Sequence, residues 1–216
     1  MTETTVVHLM RHGEVHNPTG VLYGRLADYH LSDLGRQMAE RVAEHVAGRD
    51  VVHLVSSPLE RAQETMEPIA KTFGLTPEID ERVIEAANLF EGKKFGVGDG
   101  ALRKPSAWWL LRNPFKPSWG EPYTELVRRM RAAMETARQK AAGHEALIVS
   151  HQLPIWIVRS ATEGRRLWHD PRKRQCSLAS LTSFTFHGDQ IVSVGYAEPA
   201  KDLLPAKLTK KFAAGA

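Results

Sequence analysis

The sequence contains a single cysteine, Cys176, among its 216 residues. One cysteine cannot form a disulfide within the chain, and it cannot build a cluster of thiolate ligands around a metal ion. Long apolar runs are also missing, and no run approaches the roughly 20 residues that a membrane-spanning helix needs. The chain does not open with a basic segment followed by an apolar one, as a secretory signal does. We therefore expect a cytoplasmic protein that does not bind membranes.

Recognisable nucleic-acid-binding motifs are absent as well. The formal net charge is +4, from 29 Lys and Arg against 25 Asp and Glu. This modest basic excess suits a small anionic substrate, and it would also suit loose contact with nucleic acid. Because the sequence has no zinc finger, basic zipper or aromatic RNA-binding motif, we do not expect nucleic acid as a partner. The length and the hydrophobic fraction of 42% suit one globular domain.

Short runs rich in valine, isoleucine and leucine alternate with amphipathic stretches along most of the chain. The apolar runs predict strands at 4–10, 50–56, 78–84 (the weakest) and 146–150, with a terminal hairpin at 178–186 and 191–196. The amphipathic stretches predict helices at 33–47, 57–73, 122–142 and from 152 onward. Strands that alternate with helices predict an α/β fold, in which a mostly parallel sheet carries helices on both faces.

Two serines mark predicted helix starts. Ser32 precedes the first amphipathic stretch, and Ser57 precedes the second, where Pro58 and Glu60 add two further signals of a helix start. We predict that both hydroxyl groups are N-caps.

The remaining segments predict how the domain is organised. We expect one α/β domain over 1–200, a cap-like insertion at about 88–120, and a basic tail at 201–216. The insertion mixes tryptophan and phenylalanine with lysine and arginine. It could cover the strand ends and exclude water, pack its aromatic residues on the core, or bind a membrane surface or a partner. The basic run 171–174 is typical of a solvated loop, and a substrate clamp is the alternative interpretation.

Charged and imidazole side chains stand where predicted strands end. Arg11 and His12 follow the first strand, and His151 follows the strand at 146–150. Arg61 lies in the first turn of the helix after the second strand, and Glu85 follows the weak strand. The carboxyl ends of parallel strands meet at one edge of a sheet, where ligands bind in open α/β folds. We therefore expect these five side chains to lie close together.

These residue types suit phosphoryl chemistry. An arginine presents a planar, permanently charged fork that matches the oxygens of a phosphate. A neutral imidazole is a nucleophile near pH 7, and a carboxyl group can move protons. A helix that begins beside the site adds free N–H groups and a positive partial charge.

The same residues stand in motifs that resemble the histidine phosphatase superfamily, the phosphoglycerate-mutase-like group. The motifs are Leu9-Met10-Arg11-His12-Gly13-Glu14, Gly24-Arg25 with Leu31-Ser32-Asp33-Leu34-Gly35, Ser56-Ser57-Pro58-Leu59-Glu60-Arg61-Ala62-Gln63-Glu64-Thr65, and Val149-Ser150-His151. The resemblance covers nearly the whole chain and implies a phosphoglycerate-mutase-like three-layer α/β sandwich. The sequence departs from the family pattern in four places. Asn17 lies one position nearer His12 than the usual asparagine, and Gln152 stands where glycine is common. The stretch 86–92 after Glu85 is shorter than the common form, and one additional residue lies between Gly24-Arg25 and Leu31-Ser32.

The resemblance also implies roles for individual residues. It implies that His12 is the nucleophile that becomes phosphorylated and that Glu85 is the proton donor. It implies that Arg11, Arg61 and His151 bind the phosphoryl group. We expect further substrate contacts from Asn17, Gly24, Arg25 and Gln152. No metal and no cofactor is expected, because the arginines neutralise the charge of the phosphoryl oxygens.

Three functions are compatible with this pattern. The first is a phosphomonoesterase that hydrolyses a small organic phosphate through a phosphohistidine. The second is a phosphoglycerate mutase, for which Arg25, Arg112 and Lys116 could hold a second acidic group, although 85–120 does not match the mutase pattern that we expect. The third is a non-catalytic phosphate-binding or scaffold protein. We expect a phosphorylated small molecule as the partner and leave a homodimer open.

Overall fold

A single sheet of six strands forms the centre of the molecule. The computed structural model describes residues 3–88, 91–92 and 120–204. The strands are β1 (Thr4–Arg11), β2 (Val51–Ser56), β3 (Glu78–Ile79), β4 (Glu145–Ser150), β5 (Leu181–His187) and β6 (Gln190–Ala197). Their order in the sheet is β3-β2-β4-β1-β5-β6, and only β5 runs against the direction of the others. The predicted mostly parallel sheet is confirmed.

Helices cover both faces of this sheet. They are α1 (Asp33–Val46), α2 (Glu60–Phe73), α3 (Tyr123–Lys140) and α4 (Gln152–Thr162). Successive residues of a strand point to opposite faces, so each strand supplies two apolar clusters. Val7 and Leu9 of β1 pack with α3 and α4. Met10 packs with α1 and α2 on the other side. The predicted α/β fold with three layers is therefore confirmed.

The helix starts show where local signals succeeded and where they did not. Ser32 is the N-cap of α1, since its hydroxyl accepts a hydrogen bond from the N–H of Gly35 at 3.0 Å. The N-cap predicted at Ser57 is wrong, because α2 begins at Glu60 after Leu59, which makes no side-chain cap. The Ser57 hydroxyl instead lies 2.7 Å from Nε2 of His151, a partner 94 positions away.

The weak strand predicted at 78–84 is mostly wrong. Only Glu78–Ile79 pairs with β2, and a 3-10 turn follows at Glu81–Val83. The Asp80 carboxylate accepts the N–H of Arg82 at 2.8 Å and starts this turn. The turn redirects the chain, so that Glu85 comes after a bend rather than directly after a strand.

Two glycines allow the loop after β1 to cross the first turn of α1. A Cβ atom on Gly35 would lie 2.0 Å from the carbonyl oxygen of Glu14, and one on Gly13 would lie 2.5 Å from that of Gly35. A side chain at Gly13 or Gly35 would clash with the backbone of the other segment, so this close approach requires glycine at both positions. The Glu14 carbonyl also accepts the N–H of Ser32 at 3.0 Å. This crossing fixes the backbone next to His12.

Parts of the predicted organisation fall on residues outside the description. Asn88 and Gly120 pair as an isolated bridge, but 89–90 and 93–119 of the predicted cap lie outside the described residues, as do 205–216 of the predicted tail. The domain limits at 1–200, the cap and the tail stay predictions. None of the described helices has the length and apolar character needed to cross a membrane.

We predict that the substitution Gly35→Ala lowers the free energy of unfolding by about 1–3 kcal/mol, because the added methyl group meets a backbone carbonyl that cannot move alone. Urea denaturation measures the loss. Gly48→Ala is the matched control, since a Cβ there meets nothing within 4 Å, and it should change stability by less than about 0.5 kcal/mol. Equal unfolding midpoints for the two variants would contradict the predicted clash.

Candidate active site

Three neighbouring parallel strands end at one place and bring distant residues together. Arg11 is the last residue of β1 and pairs in register with Ser150, the last residue of β4. The N–H of His12 donates to the Ser150 carbonyl at 3.2 Å, and the N–H of Ser57 donates to the Val149 carbonyl at 3.0 Å. The backbone bonds of the sheet therefore set the separation of the two histidines and of the segment that leads to Arg61.

His12 is fully buried and its protonation follows from its hydrogen bond. Its Nδ1 lies 2.8 Å from the carbonyl oxygen of Gly13, which can only accept, so Nδ1 carries the proton. The lone pair is therefore on Nε2, a buried atom with no hydrogen-bond partner among the described residues. Burial, then the charges of Arg61 and Arg11, hold the pKa of His12 well below its ordinary value. The ring is a neutral base with its lone pair available.

The two arginines are buried without a carboxylate partner in the part of the chain that the structure describes. One nitrogen of each is held by a main-chain carbonyl: Nη1 of Arg11 donates to Cys176 at 2.8 Å, and Nη2 of Arg61 donates to Gly24 at 2.6 Å. Nε and Nη2 of Arg11, and Nε and Nη1 of Arg61, make no hydrogen bond to any described residue. Buried donors of this kind cost free energy unless a ligand satisfies them.

Arg61 is positioned by two residues that the sequence interpretation did not single out. Its guanidinium carbon lies 4.7 Å from the centre of the Tyr23 ring, a stacking arrangement that favours a cation. Thr65, one turn further along α2, donates to the Arg61 carbonyl at 2.7 Å and accepts the N–H of Gly13 at 3.1 Å. The first turn of α2 is thereby tied to the loop that carries His12.

His151 lies beside His12, with the two ring centres 5.2 Å apart. Its Nδ1 is 3.4 Å from Nη2 of Arg61, and because a guanidinium can only donate, Nδ1 accepts. Nε2 then carries the proton and donates to Ser57 at 2.7 Å. Burial, followed by the charges of Arg61 and His12, holds the pKa of His151 well below its ordinary value. His151 also precedes α4, whose N-terminal N–H groups begin at Gln152.

Glu85 is a buried carboxyl group with one oxygen in use. Oε1 accepts the N–H of Ala86 at 2.7 Å, whereas Oε2 is buried and has no partner among the described residues. Burial raises the pKa of Glu85, and the Ala86 N–H and the charges of Arg61, Arg174 and Arg11 offset only part of that rise. The side chain can therefore hold a proton at a higher pH than an exposed glutamate.

Two of the expected substrate contacts use their side chains elsewhere in this structure. The Asn17 amide donates to the Val21 carbonyl at 2.8 Å and accepts the Val21 N–H at 3.1 Å, so it closes its own loop. Nε of Arg25 donates to the Glu85 carbonyl at 2.7 Å, and its Nη2 lies 2.9 Å from the Glu121 carboxylate. Arg25 thus holds the main chain that carries the Glu85 carboxyl group.

The other two expected contacts lie in the hydrogen-bond network of the buried arginines. Gly24 has a φ of +42° and gives its carbonyl to Arg61. The Gln152 amide donates to the Cys176 carbonyl at 3.4 Å and accepts from Nη1 of Arg174 at 3.2 Å. The predicted solvated loop at 171–174 is wrong for Arg174, which is half-buried, whereas the preceding residues of that run are exposed.

Together these groups can bind and transfer a phosphoryl group. Unpaired guanidinium donors face a site that also holds a neutral imidazole with a free lone pair. A carboxyl group with a raised pKa completes a set that offers positive charge, a nucleophile and an acid.

The sequence is similar to those of several known proteins. A family profile described as histidine phosphatase superfamily (branch 1) matches residues 7–199. The chain is 56% identical over 200 residues to uncharacterized protein Rv0525 of Mycobacterium tuberculosis (strain ATCC 25618 / H37Rv), covering 93% of this chain and 99% of that one. It is 32% identical over 187 residues to a probable phosphoglycerate mutase, GpmB, of Yersinia pestis (strain Pestoides F), covering 81% and 83%.

A solved structure supports the same fold. The complex of mycobacterial glucosyl-3-phosphoglycerate phosphatase Rv2419c with inorganic phosphate superimposes with a TM-score of 0.72, covering 90% of this chain and 98% of that one. Its sequence identity of 22% shows similarity of fold alone. Since the family profile spans nearly all of the chain, this protein belongs to the histidine phosphatase superfamily.

Proposed function

We propose that the protein is a phosphomonoesterase that hydrolyses a small organic phosphate through a phosphohistidine on His12. The observation that carries the proposal is the set of buried, unpartnered donors on Arg11 and Arg61 beside the free Nε2 of His12. Two desolvated guanidinium groups without carboxylates favour an anionic ligand strongly, and a tetrahedral phosphoryl group can accept from both.

In the first step, Nε2 of His12 attacks phosphorus in line with the departing ester oxygen. The N–P bond forms as the P–O bond to the alcohol breaks, and Glu85 gives its proton to that oxygen. Arg11 and Arg61 hold the remaining phosphoryl oxygens and stabilise their charge in the transition state. His151 joins them when its Nε2–H donates to a phosphoryl oxygen in place of Ser57. Positioning and charge supply most of the rate enhancement.

In the second step, a water molecule attacks the phosphohistidine. The Glu85 carboxylate accepts a proton from the water as the new P–O bond forms and the N–P bond breaks. Inorganic phosphate leaves, His12 recovers its lone pair and Glu85 is again protonated. One carboxyl group therefore serves as acid and then as base, which a raised pKa allows.

The family profile and the similarity to a probable mutase support phosphoryl chemistry, and the solved structure of similar fold is that of a phosphatase. A mutase must hold a second acidic group of its substrate. Of the cations considered for that purpose, Arg25 is bonded to Glu121 and to the Glu85 carbonyl, which favours hydrolysis. The other two, Arg112 and Lys116, lie outside the described residues. The identity of 32% to the probable mutase keeps phosphoglycerate mutase as the second candidate.

We predict that His12→Asn lowers phosphate release from an aryl phosphate by about 10³-fold or more, because the variant lacks the nucleophile. Quenched reactions with ³²P-labelled substrate should show an acid-labile adduct in the wild type and none in the variant. His45→Asn, on the exposed side of α1, is the control and should keep wild-type activity. Equally slow release by wild type and His12→Asn would instead indicate a phosphate-binding protein without catalytic function.

A direct assay separates hydrolysis from mutase activity. We expect purified protein given 3-phosphoglycerate, with and without 2,3-bisphosphoglycerate as primer, to release inorganic phosphate. Accumulation of 2-phosphoglycerate in the primed reaction would show that the enzyme is a mutase.

We predict a pH profile in which Glu85 sets the alkaline limb. The first step needs Glu85 protonated, so the rate with an alkyl phosphate falls as pH rises through a pKa above the ordinary 4.5. His12 must be neutral, and its lowered pKa places the acid limb below the ordinary 6.5. Initial rates between pH 3 and 9 measure both limbs. An alkaline limb that is unchanged in Glu85→Gln would assign it to another group.

The same variant should separate the two chemical steps. Glu85→Gln should slow alkyl phosphate hydrolysis by about 10²–10⁴-fold. With p-nitrophenyl phosphate, whose leaving group needs no proton, it should give a burst of p-nitrophenol close to the enzyme concentration, followed by slow turnover. Exposed Glu81 lies four residues earlier, and Glu81→Gln is the matched control. Wild-type turnover of alkyl phosphates by Glu85→Gln would exclude Glu85 as the acid.

A further inference from the structure

Arg174 is a half-buried cation that the proposed chemistry does not use. It follows the 3-10 turn Pro171–Lys173, and it lies deeper than the exposed Arg172 and Lys173 of the same loop. Nε of Arg174 donates to Nε2 of His169 at 2.8 Å, and its Nη1 donates to Oε1 of Gln152 at 3.2 Å. Both acceptors are uncharged, and Nη2 donates to no described residue.

Two other enclosed arginines of the described residues have carboxylate partners. Arg129 pairs with Glu121 at 2.8 Å, and Arg159 pairs with Glu163 at 3.2 Å. Within residues 3–88, 91–92 and 120–204, no carboxylate oxygen lies within 4.0 Å of the Arg174 guanidinium. Arg174 shares this property with Arg11 and Arg61, the two arginines proposed to bind phosphoryl oxygens. A desolvated guanidinium without a counter-charge favours an anionic ligand.

Hydrogen bonds connect Arg174 to the phosphoryl end of the site. The Gln152 amide contacts both Arg174 and the Cys176 carbonyl, and the same carbonyl holds Arg11. The positive charge of Arg174 also opposes the rise in the pKa of Glu85 that burial causes. In the proposed first step Glu85 protonates the leaving oxygen, so the alcohol part of the substrate is the part nearest to Glu85.

His169 and Gln152 also fix the direction of the guanidinium. The His169 ring is packed between Tyr123, at 6.0 Å between ring centres, and Trp156, at 5.7 Å. An arginine held at two nitrogens, by buried Gln152 and by the packed, half-buried ring of His169, loses little further entropy when it binds a ligand at the third. This arrangement is that of a binding group rather than of a solvated surface charge.

Resting on the proposed phosphomonoesterase function, we propose that Arg174 is a specificity-determining residue that binds a carboxylate on the alcohol part of the substrate. The preferred substrates are then phosphomonoesters of hydroxy acids, with the phosphoryl group on Arg11 and Arg61 and the carboxylate on Nη2 of Arg174. A leaving group without negative charge gains nothing from this cation.

The test compares two substrates with the same carbon skeleton. 3-Phosphoglycerate carries a carboxylate where glycerol 3-phosphate carries a hydroxymethyl group. In Arg174→Met we expect kcat/KM for 3-phosphoglycerate to fall about 10- to 100-fold, mainly through KM, because one charge-assisted contact is lost. For glycerol 3-phosphate the change should stay within about 3-fold. Arg172→Met, in the same loop but exposed and paired with Asp170, should leave both values unchanged.

Other outcomes overturn the proposal. Equal losses for the two substrates, with the alkaline limb of the pH profile moved upward for both, would show that Arg174 acts only through the charge of Glu85. No loss for either substrate would show that the guanidinium does not reach the alcohol part. Arg174→Lys retains the charge, so it should recover part of the preference for 3-phosphoglycerate, and no recovery at matched thermal stability would also count against the proposal.

A binding measurement separates this proposal from the proposed function. In the His12→Asn background no turnover is needed, and calorimetry should show tighter binding of 3-phosphoglycerate than of glycerol 3-phosphate. Adding Arg174→Met should abolish that difference. If the wild type hydrolyses neither compound nor p-nitrophenyl phosphate, the proposed hydrolysis fails, while the binding difference still decides the role of Arg174. Should Arg174→Met not fold, Arg174→Gln provides the same comparison.

Discussion

The structure depends on burying two guanidinium groups where three parallel strands end, with no carboxylate beside them in the described part of the chain. Taking a charge out of water without a partner is costly. The fold limits that cost by giving each guanidinium one main-chain carbonyl, Cys176 for Arg11 and Gly24 for Arg61. The remaining donors are left for a ligand that brings its own negative charge. A carboxylate placed here would neutralise the two guanidinium charges on which the proposed phosphoryl binding depends.

The same enclosure sets the protonation of every other group in the site. Burial disfavours charge, so it lowers the pKa of His12 and His151 and raises that of Glu85. The arginines add to the effect on the histidines and oppose it on Glu85. The outcome is a neutral imidazole and a carboxyl group that keeps its proton to a higher pH than an exposed glutamate, as the proposed function requires. A single buried environment is sufficient, because it lowers the pKa of the two histidines and raises the pKa of Glu85.

Much of the framework could be predicted from the sequence, because its signals are local. The apolar runs located β1, β2 and β4, and the amphipathic stretches located α1 to α4, to within a few residues. The boundary errors have identifiable causes. Serine is a residue type that favours an N-cap, but the Ser57 hydroxyl bonds to His151 instead. Helix α2 therefore begins at Glu60 rather than directly after Ser57. After Glu78–Ile79, Asp80 caps a 3-10 turn, and this turn lies where the sequence predicted the rest of the strand.

The sequence by itself determined which chemistry-bearing residues follow strand ends, and the rule that parallel strands share an edge was enough to expect His12, His151 and Arg61 together. Only the tertiary structure decided which partners hold them. Tyr23 under Arg61, Thr65 on the Gly13 N–H, Arg25 on the Glu85 carbonyl and Arg174 on Gln152 are contacts between segments far apart in the chain. Periodicity reports which face of an element is buried, but a hydrogen bond across the fold depends on distances and angles that no local pattern contains.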